Sequence, residues 1–556
     1  MFHKNSILSI FVKSSILFRK KYNFQSFPKS HVSSTFNEWI LMFFKTHPPY
    51  NKFVLKPTTL VNNDLEARTL DKAPISLKCN TNNELLNKFS STSSLSTINE
   101  IDKELENRID VMTIEQIMQL MDSCLTSKNK LSKNSKAFKR CLQIMNENWF
   151  RRPDLNCYQT VQLMYYASIY KHKAYNTISF GLQKIMNELS YVKKFSNEEL
   201  SVLAVATYKT GVKVNDKLLR LFVYRLEKKL DELLQKPILF ISLLKPLKKA
   251  KYHDPTLIKT LTTSLKCDGS NLVIKDFTSS VHLLSYLADS NCGDIKNLQK
   301  LIDSIENSMI QDNMKNYRIK DLTNFLFSVS YLGITLSNHI VEIIDSYLYE
   351  VFNTKDKCIK YSNMLISVCL SMWMLKWTSS KLIQFVFSQV PISALRSPNI
   401  HKQNNRLDLL LTSVSIEKPE LLQHCKFIET IENMPKPCSH INERPLLLNV
   451  FKNLQELSKD LKFSSIEYNF SIPNLKILGI KIINNNKNKI YVEVLDSCTC
   501  LANTGIPNGT MKLKLRLESK LNFTVITVNH MDNVLQNSKS LKIYLESLLL
   551  KQFNIV

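Results

Sequence analysis

The chain has 556 residues, with 74 Lys+Arg against 48 Asp+Glu and a formal net charge of +26. Hydrophobic residues make up 44%, enough to bury a core over most of the length, which excludes wholesale disorder. Only 8 glycines occur, against an average usage of about 7%, which argues against glycine-rich nucleotide folds, collagen and turn-dense sandwiches and suits an α-rich protein. The 12 cysteines are scattered, the closest pair being Cys498-x-Cys500; this is neither a disulfide framework nor a zinc-finger pattern, and it fits a reducing compartment. The basic excess points to a polyanion or an anionic membrane surface, while lysine- and asparagine-rich runs also arise from codon bias.

Residues 1–37 contain no Asp or Glu, but they carry Lys4, Lys13, Arg19, Lys20, Lys21 and Lys29 with several serines. The apolar run from Ile7 to Phe18 is broken by Lys13 and is too short to span a bilayer. This pattern fits a mitochondrial presequence better than a secretory signal, so residues 1–50 are read as an address and the matrix as the destination. Residues 51–109 read as a polar linker, marked by Asn80-Thr81-Asn82-Asn83 and Ser90-Ser91-Thr92-Ser93-Ser94. No later run reaches 18 apolar residues, so no membrane span is expected.

From 110 the apolar residues recur with helical spacing, as at Ile114, Ile117, Met118 and Met121. Similar blocks end near Tyr170, Tyr208, Leu247, Leu287, Leu332 and Leu375, anchors that fall 38 to 45 residues apart. A two-helix unit of about 40 residues, repeated, predicts an α-solenoid of helical hairpins. The stripes Tyr165, Tyr166, Met372, Trp373 and Trp377 read as core before base-stacking platform. Lys228-Lys229 and Lys248-Lys249-Lys251 read as solvated helix faces or phosphate contacts.

After about 470, Ile477–Ile483, Ile490–Leu495 and Phe523–Val528 read as strands. Between the last two, Asn508–Leu521 alternates like a strand, but its helix formers and Leu513, Leu517 and Leu521 at i, i+4, i+8 predict a helix. Ser540–Leu550 is a closing amphipathic helix. The row Lys512, Lys514, Arg516 and Lys520 is the candidate RNA-binding set, through phosphates, with an ordinary solvated face as the alternative.

This segment, 476–551, resembles the RAP domain. The matches are Val492-Glu493-Val494, Asn503-Thr504-Gly505, Asn508-Gly509-Thr510, Lys512, Lys514, Arg516-Leu517, Val525-Ile526-Thr527-Val528 and Tyr544-Leu545. Upstream, 318–390 is similar to the first helical region of the FAST kinase domain-containing proteins. Residues 400–470 resemble their second region, with Ser413–Glu420 carrying its acid-x-Pro step. The 110–317 stretch is the preceding helical repeat array. The resemblance implies a mainly α chain: an α-solenoid followed by a small α/β RAP domain with a restriction-endonuclease-like core. It also implies a role in the stability, processing or translation of mitochondrial transcripts. Mitochondrial RNA is the implied partner; a scaffold of mitochondrial RNA granule proteins is the alternative.

A nuclease is the third reading, and its candidates are Glu493 and Asp496. Such chemistry needs converging acids on a divalent metal. Here the acid pattern is displaced by one residue, which puts Asp496 on the opposite strand face from Glu493, and the family's following histidine is absent. Gly-x-Gly-x-x-Gly, His-Arg-Asp and Asp-Phe-Gly are all missing, so a kinase is not expected despite the family name. The expectation is a non-enzymatic protein with no metal or other cofactor.

Overall fold

The computed structural model describes residues 32–47, 50, 81–91, 95–126, 135–147, 155–188, 192–265, 276–312, 314, 317–423, 442–461, 463–485, 487–532 and 538–553. The described residues group into two compact units, one within Met1–Leu189 with Lys315–Arg318, the other within Ser190–Met314 and Ile319–Val556. The molecule is mainly helical, with a small four-stranded sheet near the C-terminus.

The first unit contains α1 (Val32–Thr46), α2 (Asn82–Ser91), α3 (Leu95–Arg108), α4 (Ile114–Thr126), α5 (Lys136–Glu147), α6 (Cys157–Ser168) and α7 (Tyr175–Asn187). Helices α2, α4 and α6 pack in succession, and α3, α5 and α7 pack in succession beside them. Most of the predicted address, residues 1–31, lies outside the described residues. The rest of it corrects the expected boundary. Ile40, Phe43, Phe44 and Tyr50 are buried, and the Phe44 ring meets Tyr165 and Tyr166 edge-on at 5.7 Å. The apolar face of this segment has a partner, so residues 38–47 belong to the fold. The polar linker is corrected too. Residues 51–80 are not described, but Asn82–Ser91 and Leu95–Arg108 are helices that bury Leu85, Leu86, Phe89, Ile98, Ile101 and Leu105. Polar faces surround a narrow apolar stripe there, which a composition reading misses.

The second unit begins with α8 (Asn197–Thr210), α9 (Asp216–Lys228), α10 (Pro237–Ala250), α11 (Pro255–Ser264), α12 (Phe277–Asp289) and α13 (Ile295–Asp312). It continues with α14 (Ile319–Leu332), α15 (Asn338–Val351), α16 (Ser362–Met374), α17 (Lys381–Gln389) and α18 (His401–Glu417). The even-numbered helices pack one on the next from α8 to α18, and the odd-numbered helices from α9 to α17 form a second row. The anchors Tyr208, Leu247, Leu287 and Leu332 all lie near the C-terminal ends of first-row helices, and Leu375 caps α16. First-row helices such as α12 and α16 are buried on most sides, and their sequences are mostly apolar with small Ser and Thr between.

One capping device recurs in the second row. Asp345 of α15 accepts from Ser380 Oγ at 2.6 Å and from Lys381 N at 2.9 Å, tying down the start of α17. Glu306 of α13 accepts from Ser337 at the start of α15. In the first unit Asp102 of α3 holds Ser135 and Lys136 N at the start of α5. Each acid satisfies donors that the next helix start leaves open, a contact worth about 1 kcal/mol.

The α/β layer begins with α19 (Pro445–Asp460), earlier than the predicted 476. It adds β1 (Phe463–Asn469), β2 (Gly479–Asn484), β3 (Lys489–Leu495), α20 (Gly509–Lys520), β4 (Thr524–Asn529) and α21 (Ser538–Phe553). The sheet order is β1-β2-β3-β4: β1/β2 and β2/β3 are antiparallel, while β3/β4 are parallel across the α20 crossover. The period of two divides β3 cleanly. Ile490, Val492 and Val494 join Ile480, Ile482, Ile526 and Val528 against α19 and α21, in one core with Leu447, Val450, Leu454, Leu541 and Leu545. Tyr491, Glu493 and Leu495 alternate with them. Leu495 packs with Met511 of α20. The predicted strands and the choice of helix for 508–521 match these elements; β1 was not foreseen.

Candidate nucleic-acid interface

The four basic residues predicted on α20 have different fates. Lys514 is fully buried. Its Nζ lies 2.5 Å from Glu493 Oε1 and 3.8 Å from Glu518 Oε1, and it donates to Ile477 O at 3.0 Å. Arg516 forms a two-pronged pair with Glu417, Nε to Oε1 at 2.7 Å and Nη2 to Oε2 at 3.1 Å, and it also donates to Trp373 O and Met374 O. Lys512 is exposed, yet its Nζ donates to Gly333 O at 2.9 Å. Burial and the charge of Lys376 lower its pKa. Lys520 is exposed. The row expected to meet phosphates is therefore corrected for Lys514 and Arg516: both are used within the fold. The i, i+2 spacing turns alternate residues of a helix to opposite sides, so a row in sequence is not a row in space.

The two nuclease candidates do not converge. Glu493 points at Lys514, and Gly479 leaves the room for it; a Cβ there would collide with the Glu493 carboxylate. Glu518 is pushed up to about 8 by burial and by the charge of Glu493, against the opposing pull of Lys514. Lys514, Glu493 and Glu518 thus form a buried cluster with little access to solvent. Asp496 turns away to a buried Arg444, whose Nε donates to it at 2.7 Å. The same guanidinium donates to Leu478 O and Val494 O, pinning the ends of β2 and β3. Among the described residues no group of three or more His, Cys, Asp or Glu is placed to hold a metal ion.

Helix α20 docks the layer onto first-row helices α14, α16 and α18. Asn508 caps it by accepting from Met511 N at 3.0 Å. Gly509 follows because a Cβ there would overlap Ser330 O. Glu417, the acid of the acid-x-Pro step, holds both Arg516 and Trp373 Nε1. The turn after β3 joins the same seam, with Ala502 N donating to Asn291 O at 2.6 Å.

Beside this seam the first row gathers cations around aromatic rings. Lys248 and Lys249 lie in the last turn of α10, where the helix dipole favours positive charge, and Lys251 follows. Lys249 Nζ sits 5.2 Å above the Tyr208 ring and donates to Tyr208 O. Lys248 Nζ lies 3.6 Å from Asp289 Oδ2 and hydrogen-bonds Ser285. From α18, the Arg406 guanidinium lies 5.3 Å over the Phe327 ring and donates to Ser367 Oγ. Phe327 stacks with Tyr331, centroids 6.1 Å apart at 19°, and Tyr331 OH donates to Asn291.

These groups feel one another. Arg406 and then burial lower the pKa of Lys402, Lys248 and Lys251 adding to the effect and Asp289 opposing it. Burial, then the charge of Lys320, lowers Lys248 against the pull of Asp289. Like charges thus share a surface with Asp289 nearby, an arrangement that a polyanion relieves. Sequence reading had singled out Lys248, Lys249 and Lys251 but missed Asp289, Phe327, Tyr331, Lys402 and Arg406. The i, i+4 pair Lys402 and Arg406 was a legible basic face; its neighbours come from helices far away in sequence.

Neither a scan against protein-family models nor a search of curated proteins finds a match for this chain. Among the described residues no helix is long and apolar enough to cross a membrane.

Proposed function

We propose that this chain is an RNA-binding protein of mitochondria, akin to the FAST kinase domain-containing proteins, that acts on the stability, processing or translation of mitochondrial transcripts. In this reading the two rows are an α-solenoid and the C-terminal layer is a RAP domain that grips without cutting. The observation that carries it is the cationic surface around Tyr208, Phe327 and Tyr331, where Arg406, Lys248 and Lys251 bear on Lys402 and where Lys249 and Arg406 lie over the Tyr208 and Phe327 rings. Lysine and arginine supply salt-sensitive phosphate contacts, and aromatic or guanidinium planes stack unpaired bases. The meeting of Glu417 with Arg516 adds support, because the resemblance had picked out both segments separately.

Crosslinking of the tagged protein to RNA in isolated mitochondria, followed by sequencing, tests the reading. Enrichment at defined transcripts supports it. An imported protein that recovers no RNA above background, while retaining partner proteins, refutes it in favour of a granule scaffold.

A further inference from the structure

The acid Asp289, set against the cationic surface, stands out once the surface is taken as a seat for RNA. Asp289 is the last residue of α12, and its side chain is 33% exposed. Lys248, Lys402 and His253 all feel its charge, as does the Tyr331 phenol. Its ion-pair partner here, Lys248, is at 3.6 Å, beyond ordinary hydrogen-bond length. A carboxylate in the middle of a phosphate-binding surface is unfavourable for the phosphates themselves. It becomes useful if it meets a base.

We infer that Asp289 reads a base edge: a single-stranded RNA lays its phosphates on Lys248, Lys251, Lys402 and Arg406 and turns a base with paired N–H donors, guanine above all, toward the Asp289 carboxylate. This rests on the RNA-binding reading given above. An ionised carboxylate only accepts hydrogen bonds. Guanine offers N1–H and an N2 amino hydrogen side by side, matching its two oxygens. Adenine and cytosine each offer an exocyclic amino group. Uracil offers one N–H flanked by two carbonyl oxygens, which the carboxylate repels. The Arg406–Phe327–Tyr331 column gives a neighbouring plane against which an unstacked base can lie. The chemistry therefore ranks guanine first, adenine and cytosine between, and uracil last.

The test uses the full-length protein and fluorescein-labelled 12-nucleotide RNAs, all uridine or uridine with one central G, A or C, read by fluorescence anisotropy. Wild type binds the G probe about tenfold more tightly than the all-U probe, within the range of a two-bond base contact. Asp289→Asn removes most of this ratio, because an amide presents a donor where an acceptor stood. A counter-ion role predicts otherwise: Asn strengthens binding to every probe alike and leaves the ratio unchanged, and that result overturns the inference. Equal wild-type affinity for all four probes overturns it as well, while leaving RNA binding intact. Failure to bind any probe overturns both readings. Asp289→Ala, compared by its G-to-U ratio, separates base reading from a fault in the Asn variant, since a ratio within one preparation is insensitive to its active fraction.

Discussion

Glu518 ties the stability of the C-terminal layer to pH. Its carboxyl is buried beside Glu493 and is pushed up to about 8 from an ordinary 4.5. A group whose pKa is raised by folding binds its proton more tightly in the native state. Its contribution is complete below about pH 4.5 and is lost as pH rises through about 8. Between these limits one proton separates the two states, so the loss approaches about 1.4 kcal/mol per pH unit. Glu518→Gln keeps the shape of the neutral acid but has nothing to titrate. Hydrogen–deuterium exchange of peptides covering β3 and α20, compared between wild type and variant at each pH, cancels the intrinsic exchange rates. From pH 6 to 8 the wild type should lose about 2 to 3 kcal/mol of opening free energy relative to the variant. Parallel pH dependence in the two proteins would refute the account of the cluster.

Three further outcomes follow from the same geometry. Arg444→Ala leaves Asp496 buried without its cation and should destabilise the layer by about 3 to 5 kcal/mol in urea unfolding; a loss under about 1 kcal/mol contradicts the pairing. The double variant Lys402→Ala with Arg406→Ala should weaken single-stranded RNA binding and flatten its log–log salt slope by about 1.4, at about 0.7 per phosphate contact, with an unchanged slope counting against this surface. Gly509→Ala forces a methyl group onto Ser330 O and should raise exchange in peptides around Gly333 and Trp373, whereas unchanged protection there would mean that the seam has more slack than its contacts imply.

Local features were the most legible. The helix over 508–521 could be read from Leu513, Leu517 and Leu521 against a competing alternation, because helix formers filled the polar positions. The anchors at Tyr208, Leu247, Leu287 and Leu332 were legible because each lies near the end of a helix with a long apolar stretch. The strand β1 was not, since Ser464, Ser465 and Glu467 lie on a partly exposed edge strand and dilute the alternation. The candidate site was legible only in fragments. Lys248 and Lys251 could be noticed, but nothing in a linear reading brings them to Lys402. Lys514 misled for the opposite reason: a lysine beside exposed lysines looks solvated until the partners Glu493 and Glu518 are known.

Beside the side-chain contacts of Lys512 and Arg516, the seam beneath α20 brings main chain against main chain at Gly509 over Ser330 and at Ala502 on Asn291. Side chains can swing aside; peptide groups held this closely cannot yield without breaking the contact altogether. The seam therefore parts all at once or not at all at these two points.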